Sequence, residues 1–160
     1  MSQGNVEVPL NPNGLAQVRD AAARLRGRGI ATIIASPLSR ARVTAEIVAA
    51  AIGVPVQIDP ALREVRFGVQ EGQPVAEWFD GWIAGHVTPA GGEPFAELRA
   101  RAVDAVNRAL LLPAPVLVVG HGAFFRALRS AMGLPANVRL QNATPLLCEP
   151  DGAAWRLVPG

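Results

Sequence analysis

The chain has 160 residues and a mass of 16.8 kDa, and half of its residues are hydrophobic. A chain of this length buries roughly two thirds of the surface that its unfolded form exposes, so a single globular domain is predicted over residues 1–160. The formal net charge is only +2, and no apolar run approaches the roughly 20 residues that cross a bilayer, which argues against a nucleic-acid surface and against a membrane span.

The first part of the chain alternates between helical and strand patterns. A first helix is predicted from apolar residues at helical spacing, namely Leu15, Val18, Ala22 and Leu25. The continuous apolar run Ile30–Ala35 predicts a strand that is covered on both faces, as in a parallel sheet. Ser36 followed by Pro37 predicts the N-cap and the first turn of a second helix, which ends at Gly53. A short strand is then predicted over 54–59.

The middle of the chain is less regular. Residues 67–92 are rich in glycine, proline and tryptophan and show weak periodicity, which predicts an irregular segment over the edge of the sheet. Amphipathic helices are predicted over 95–110 and 124–132, on either side of the apolar strand Val116–Val119.

The C-terminal region has a different pattern. Two short β segments, 146–149 and 155–158, flank the turn dipeptide Asp151-Gly152, which predicts a hairpin. Together the elements predict an α/β fold, a three-layer sandwich whose mostly parallel sheet has helices on both faces and a β-hairpin at its C-terminal end.

Polar residues follow two of the predicted strands, at the point where each strand ends. Ser36 and Arg40 follow the first apolar strand, and His121 and Gly122 follow the later one. Ligands of parallel sheets bind at the carboxyl ends of the strands, where helix N-termini present free N–H groups to anions. The arginine fork matches phosphate oxygens, and glycine lets a ligand approach the backbone closely. A site for phosphate or a phosphorylated small molecule is therefore predicted.

These residues also have structural explanations. The structural explanation for Arg40 is a solvated residue in the first turn of its helix, although a cation is mildly disfavoured at the positive end of the helix dipole. His121 would be a hydrogen-bonded core histidine. Surface carboxylates are the corresponding explanation for Glu64, Glu71 and Glu93. No pair of histidines and no set of cysteine and histidine has metal-ligand spacing, so neither a metal nor a cofactor is predicted.

Several short segments stand in the order that is typical of one enzyme family. They are Gln3 to Gly14 (QG…PL…G), Ser36 to Ala45 (S-x-L-x-R-A-x-x-T-A), Leu62 to Gly72 (L-x-E-x-x-F-G-x-x-E-G), Gly91 to Glu93 (G-G-E) and Val119 to Gly122 (V-G-H-G). Through them the chain resembles the histidine phosphatases, which include the cofactor-dependent phosphoglycerate mutases. The family has serine at the positions of Pro94 and Gly120, and Asn142 matches its asparagine before the last hairpin.

The resemblance implies phosphomonoester hydrolysis or phosphoryl transfer through a phosphohistidine. In the family, two arginines and a second histidine hold the phosphate, and a glutamate protonates the leaving oxygen. The match implies that Glu64 is the acid, that His121 is the second histidine, and that Arg40, Ser36 and Gly122 bind the substrate. Fixed cations suit this chemistry because they stabilise charge on the phosphoryl oxygens.

The nucleophile of the family is a histidine in an Arg-His-Gly motif at the end of its first strand, and this motif does not occur in the 160 residues. The match begins at Gln3, so the chain is expected to be N-terminally truncated relative to the family. A misplaced start codon, a truncation and a natural remnant are the open explanations. Catalysis is expected to be impaired, and the alternative is an inactive module that binds a phosphorylated ligand or a protein.

Two expectations concern partners. In the family, the absent strand lies between the strand Val116–Val119 and the hairpin. Unpaired strand edges are therefore expected to produce a homo-oligomer, or to let the hairpin pair directly with Val116–Val119. The cluster of Arg24, Arg26 and Arg28 is interpreted as a solvated helix face with Arg24 and Arg28 on one side, so neither a nucleic-acid nor a membrane partner is predicted.

The N-terminal residues bear on location. They show no basic stretch followed by an apolar run and no small-residue cleavage site. A cytoplasmic location is expected from this composition.

Overall fold

The computed structural model describes residues 1–152 and 154–160, and it packs helices on both sides of a short parallel sheet. The helices are α1 (Pro12–Leu25), α2 (Ser39–Ile52), α3 (Glu77–Ile83), α4 (Phe95–Ala109) and α5 (Gly122–Ala131). The strands are β1 (Thr32–Ala35), β2 (Val56–Ile58), β3 (Val116–Val119), β4 (Leu146–Asp151) and β5 (Ala154–Pro159). Of the helices in these ranges, none is both long enough and apolar enough to cross a membrane.

The central strand of the sheet is β1. It pairs in parallel with β2 on one side and with β3 on the other. Ala35, at the end of β1, lies opposite both Ile58 and Val119, so the three strands end at the same level. The segments that follow them therefore start at one edge of the sheet.

The core has two halves because alternate residues of β1 point to opposite faces of the sheet. Ile33 and Ala35 pack against α1 and α2, whose buried contact residues are Ala22, Ala45 and Val48. Ile34 packs on the other face, in a cluster with buried residues of α4 and α5. Every residue of β1 is buried. The predicted α/β arrangement with helices on both faces is confirmed.

The predicted start of α2 is wrong, whereas its predicted end is confirmed. The helix begins at Ser39, with Leu38 and not Ser36 at the N-cap position. The Ser36 hydroxyl instead accepts a hydrogen bond from the Leu38 N–H at 3.2 Å, which closes a tight turn between β1 and α2. Gly53 ends the helix in the left-handed region, with a φ of 75°.

The basic cluster does not lie on one helix face. α1 ends at Leu25, and Gly27 turns the chain with a φ of 74°. Arg26 and Arg28 therefore lie beyond the helix, and the prediction that Arg24 and Arg28 share a helical face is wrong. All three arginines are exposed.

Residues 67–92 are more regular than the sequence predicts. The segment contains α3, and its aromatic side chains cluster around Phe67. The Phe67 ring contacts Trp78, Phe79 and Trp82, with ring centroids 5.2 to 6.1 Å apart. Trp82 is fully buried, and its indole N–H donates to the Glu93 carbonyl oxygen at 2.9 Å. The aromatic side chains of the segment therefore belong to the core, while residues 72–77 and 84–88 are exposed.

The hairpin is longer than predicted. It pairs Leu146 with Pro159 and Asp151 with Ala154, so Asp151 ends β4 and does not lie in the turn. Ala153 lies outside the described residues. Within 1–152 and 154–160 the hairpin is a sheet of its own, so its predicted pairing with β3 is wrong. In these ranges β3 is an edge strand, and association of copies through that edge stays a prediction.

The close approach of Gly68 to the chain at 90–92 gives a first testable prediction. Gly68 has a φ of +58°, and a β-carbon there would lie 2.0 Å from the Ala90 carbonyl oxygen. Gly68→Ala is therefore expected to lower the free energy of unfolding by about 3 kcal/mol or more, as measured by urea denaturation. Gly72→Ala is the matched control, because Gly72 has a φ of +77° and open space around it. Equal losses in the two variants would contradict the steric argument.

Candidate active site

His121 and Ser36 meet at the carboxyl edge of the sheet. They follow β3 and β1, and His121 Nε2 lies 2.7 Å from Ser36 Oγ. Ser36 is fully buried, whereas His121 is half-buried at the N-cap position of α5. The contact fixes the orientation of the imidazole ring. The structure thus brings two of the predicted site residues together.

Glu64 lies buried at the start of α5. Its side chain accepts hydrogen bonds from the Ala123 and Phe124 N–H groups, both at 2.9 Å. The Val65 N–H adds a third bond at 3.0 Å. The carboxylate therefore satisfies amides that the first turn of α5 leaves free, at the positive end of the helix dipole. The explanation of Glu64 as a surface carboxylate is wrong, since the residue is only 8% exposed.

The protonation of Glu64 depends on opposing effects. Burial raises the pKa of the Glu64 carboxyl, while its three backbone hydrogen bonds and the Arg40 charge act to lower that pKa. A carboxylate has about four acceptor positions, so three N–H bonds leave one position that is able to carry a proton. Burial is the largest of these effects, so the pKa of the Glu64 carboxyl is raised and protonation is favoured.

The Arg40 guanidinium lies between α2 and the N-terminal segment. Its terminal nitrogens donate to the carbonyl oxygens of Val6 at 2.8 Å and Gly4 at 2.7 Å. Burial lowers the pKa of Arg40, and the charge of Glu64 acts to raise it. The side chain is half-buried, so the explanation of Arg40 as a simple solvated residue does not hold. Arg40 and Glu64 are therefore close enough for the charge of each to affect the pKa of the other.

His121 is neutral at physiological pH. Burial, together with the positive charges of Arg40 and Arg101, lowers the pKa of His121 to about 3. A bound anion favours the protonated ring, because it adds a negative charge and accepts an N–H bond. The ring is therefore expected to take up a proton together with an anionic ligand.

Gly122 follows His121 at the start of α5, and Arg126 lies one turn further along the helix. Gly122 is exposed, and a β-carbon there would lie 3.5 Å from Arg126 Nη1. The Arg126 guanidinium therefore extends back along α5 toward the site. Arg126 belongs to none of the family motifs in the sequence. The available signal was its spacing from Gly122, since residues i and i+4 share a helix face.

Two further glutamates stabilise loops next to the site. Glu93 is 5% exposed and pairs with Arg101 through two bonds of 3.0 and 2.8 Å, so the surface explanation for Glu93 is wrong. Arg101 also donates to the carbonyl oxygens of Ala61 and Arg63, both at 2.7 Å. Glu71 is half-buried and accepts two backbone N–H bonds. These contacts hold the segments on either side of Glu64.

Metal ligands do not cluster in this region of the molecule. In the ranges that the structure describes, no three histidine, cysteine, aspartate or glutamate side chains converge as a metal site requires. His86 is exposed on the loop after α3.

Comparison with known proteins identifies the family. The model of the histidine phosphatase superfamily (branch 1) matches residues 1–158. The chain belongs to the histidine phosphatase superfamily. The probable phosphoglycerate mutase GpmB of Serratia proteamaculans is 35% identical over 171 residues, which cover 96% of this chain and 79% of the relative. The GpmB protein of Proteus mirabilis is 36% identical with the same coverage.

Solved structures of histidine phosphatases share the fold. YhfR of Bacillus stearothermophilus is 26% identical and superimposes with a TM-score of 0.83, covering 98% of this chain and 86% of its own. A mycobacterial glucosyl-3-phosphoglycerate phosphatase, solved with inorganic phosphate, is 29% identical with a TM-score of 0.78, covering 98% of this chain and 88% of its own. The family and the fold that the sequence motifs predict are therefore confirmed.

Proposed function

We propose that this protein binds phosphomonoesters at the sheet edge where His121, Arg40 and Glu64 converge, in phosphoryl transfer of the histidine phosphatase type. That convergence is the observation that carries the proposal. The relatives support the same reaction class, because they include a phosphatase with bound phosphate and probable phosphoglycerate mutases.

Each residue has a distinct role in the proposed reaction. Arg40 and a protonated His121 stabilise charge on the nonbridging oxygens of the phosphoryl group. Glu64 delivers a proton to the leaving oxygen from its free acceptor position. Ser36 orients His121, and Gly122 leaves room for the ligand beside the ring.

The covalent step needs an imidazole nitrogen in line with phosphorus. Neither histidine of the chain has this role, because His121 Nε2 contacts Ser36 and His86 is exposed on the loop after α3. Residues 1–160 bind phosphate with strongly reduced turnover, and the nucleophile belongs to an Arg-His-Gly strand placed beside β3.

The pKa of His121 tests the anion site. Sulfate is expected to raise this pKa from about 3 toward the ordinary range of histidine. By linkage, the affinity for sulfate rises as the pH falls through the range between the His121 pKa of the complex and the lower His121 pKa of the free protein. Sulfate keeps its charge between about pH 4 and pH 8, so the ligand does not titrate. NMR of the imidazole signals measures the shift, with the exposed His86 as internal reference. An unchanged pKa of His121 in the presence of sulfate would rule out the anion site.

Arg40→Ala tests the arginine role. Loss of its charge-assisted hydrogen bonds is expected to weaken sulfate binding about tenfold or more in NMR titrations. Arg42→Ala is the matched control, since Arg42 lies on the same helix in an exposed ion pair with Glu46. Thermal unfolding of both variants checks that the N-terminal segment stays folded. Equal sulfate affinity in Arg40→Ala and the unchanged protein would remove Arg40 from the site.

A further inference from the structure

Arg101, on α4, makes four hydrogen bonds next to the candidate site. Its Nε and Nη2 donate to the two carboxylate oxygens of Glu93, at 3.0 and 2.8 Å. Its Nη1 donates to the carbonyl oxygens of Ala61 and Arg63, both at 2.7 Å. A guanidinium has five N–H donors in a fixed plane, so four bonds hold the group in one orientation.

The bonds of Arg101 and Glu93 hold the segment that carries Glu64. The Arg63 carbonyl oxygen, which accepts from Arg101, belongs to the peptide group that joins Arg63 to Glu64. On the other side of Glu64, the Arg66 carbonyl oxygen accepts from the Glu93 N–H at 2.8 Å. The ion pair between Arg101 and Glu93 is therefore bonded to the chain both before and after Glu64.

Arg101 also contacts the helix turn that binds the Glu64 carboxylate. Its guanidinium carbon lies 5.9 Å from the ring centroid of Phe124, within the range of a cation–π contact. The Phe124 side chain is buried, and its N–H donates to Glu64 Oε1 at 2.9 Å. The charge of Arg101 also contributes to lowering the pKa of His121. One side chain thus contacts both the segment that carries Glu64 and the turn that binds its carboxylate.

Anchoring of α4 alone does not explain this arrangement. Arg108 lies about two turns later on the same helix and forms ion pairs with Asp104 and Asp59. The Arg108 side chain is 47% exposed, whereas the side chains of Arg101 and Glu93 are 25% and 7% exposed. An exposed pair joins α4 to the loop at Asp59 without the desolvation cost that a buried pair carries. The burial of the Arg101 pair beside the site therefore favours a role there.

We propose that Arg101 is a positioning residue for Glu64, which it holds from both sides so that the carboxyl delivers its proton to the leaving oxygen. The planar fork is the feature that does this, because one guanidinium reaches the Glu93 carboxylate and two carbonyl oxygens at once. The inference rests on the proposed function, because it takes Glu64 as the acid.

NMR of residues 1–160 with Arg101→Lys tests the inference. Lysine keeps the charge but does not replace the fork. Hydrogen exchange at the Ala123 and Phe124 amides, which donate to Glu64, is expected to accelerate about fivefold or more. Exchange in the central strand β1 is expected to change by about twofold or less. The pKa of the Glu64 carboxyl is expected to rise further, since the backbone hydrogen bonds that weaken act to lower that pKa.

Arg108→Lys is the matched control, because it makes the same change on the same helix. It is expected to leave exchange at Ala123 and Phe124 within about twofold of the unchanged protein. Glu93→Gln is a second variant, which weakens the same ion pair from its other end and is expected to accelerate the same two amides. The test therefore does not depend on the folding of one variant.

Unchanged exchange at Ala123 and Phe124 in both Arg101→Lys and Glu93→Gln would overturn the proposal. Equal acceleration there and in β1 would also overturn it, because that result indicates a general loss of stability. Sulfate titration of the unchanged protein tests the proposed function separately, since it reports on His121 and Arg40. Sulfate binding with unchanged exchange removes only the role of Arg101, whereas absent sulfate binding removes the proposed function and, with it, the purpose given to Glu64.

Discussion

Glu64→Gln is expected to lower the free energy of unfolding by about 2 to 4 kcal/mol at neutral pH. Glu64 Oε1 accepts from Val65 and Phe124, and Oε2 accepts from Ala123, so both oxygens are used as acceptors in a buried place. A glutamine has only one acceptor oxygen, and its amide nitrogen would face at least one buried N–H group. Urea denaturation followed by circular dichroism measures the loss.

An exposed glutamate provides the control for Glu64→Gln. Glu46 forms an ion pair with Arg42 one turn away on the surface of α2, with both side chains about half exposed. Glu46→Gln is expected to change the free energy of unfolding by about 0.5 kcal/mol or less. A loss in Glu64→Gln as small as that in Glu46→Gln would contradict the role of Glu64 as the cap of α5.

The centres of the strands could be predicted from the sequence, but their ends could not. β1 is buried on both faces, which produces a continuous apolar run, yet Ile30 and Ala31 are equally apolar and lie outside the strand. The sequence does not predict α3, because its seven residues make only two turns, too few for a clear period. The spacing of Phe79 and Trp82 is one local sign of this helix.

Site residues at strand ends could be predicted, because parallel strands bring their carboxyl ends to one edge. Ser36 and His121 were found in this way. The burial of Glu64 could not be predicted from the sequence. Its partners Ala123 and Phe124 follow 59 and 60 residues later, and the residues next to Glu64 in the sequence give no indication of these contacts. Tertiary contacts between distant segments therefore decide what this carboxylate does.

Residues 1–160 are expected to hydrolyse p-nitrophenyl phosphate at close to the background rate. Extending the chain at its N-terminus with a strand that ends in Arg-His-Gly is expected to raise this rate about a thousandfold or more. In the described ranges, β3 has an unpaired edge that gives such a strand a place in the sheet. The added histidine is then expected to meet a phosphate bound at His121 and Arg40. Steady-state hydrolysis by the two chains measures the gain.

Variants of the extended chain separate the nucleophile from the phosphate site. Replacing the added histidine with alanine is expected to abolish the gain, and His121→Ala and Arg40→Ala are expected to reduce it strongly. Arg42→Ala is expected to leave it unchanged, because Arg42 forms an exposed ion pair away from His121. Fast turnover by residues 1–160 alone would contradict these roles.

The position of the phosphoryl group on the extended chain is the most direct test of the central claim. Peptide mapping under alkaline conditions, which preserve phosphohistidine, locates the group after brief incubation with substrate. The phosphoryl group is predicted on the added histidine and on neither His86 nor His121. A phosphoryl group on His121 would contradict the claim that His121 binds the phosphate and does not attack it.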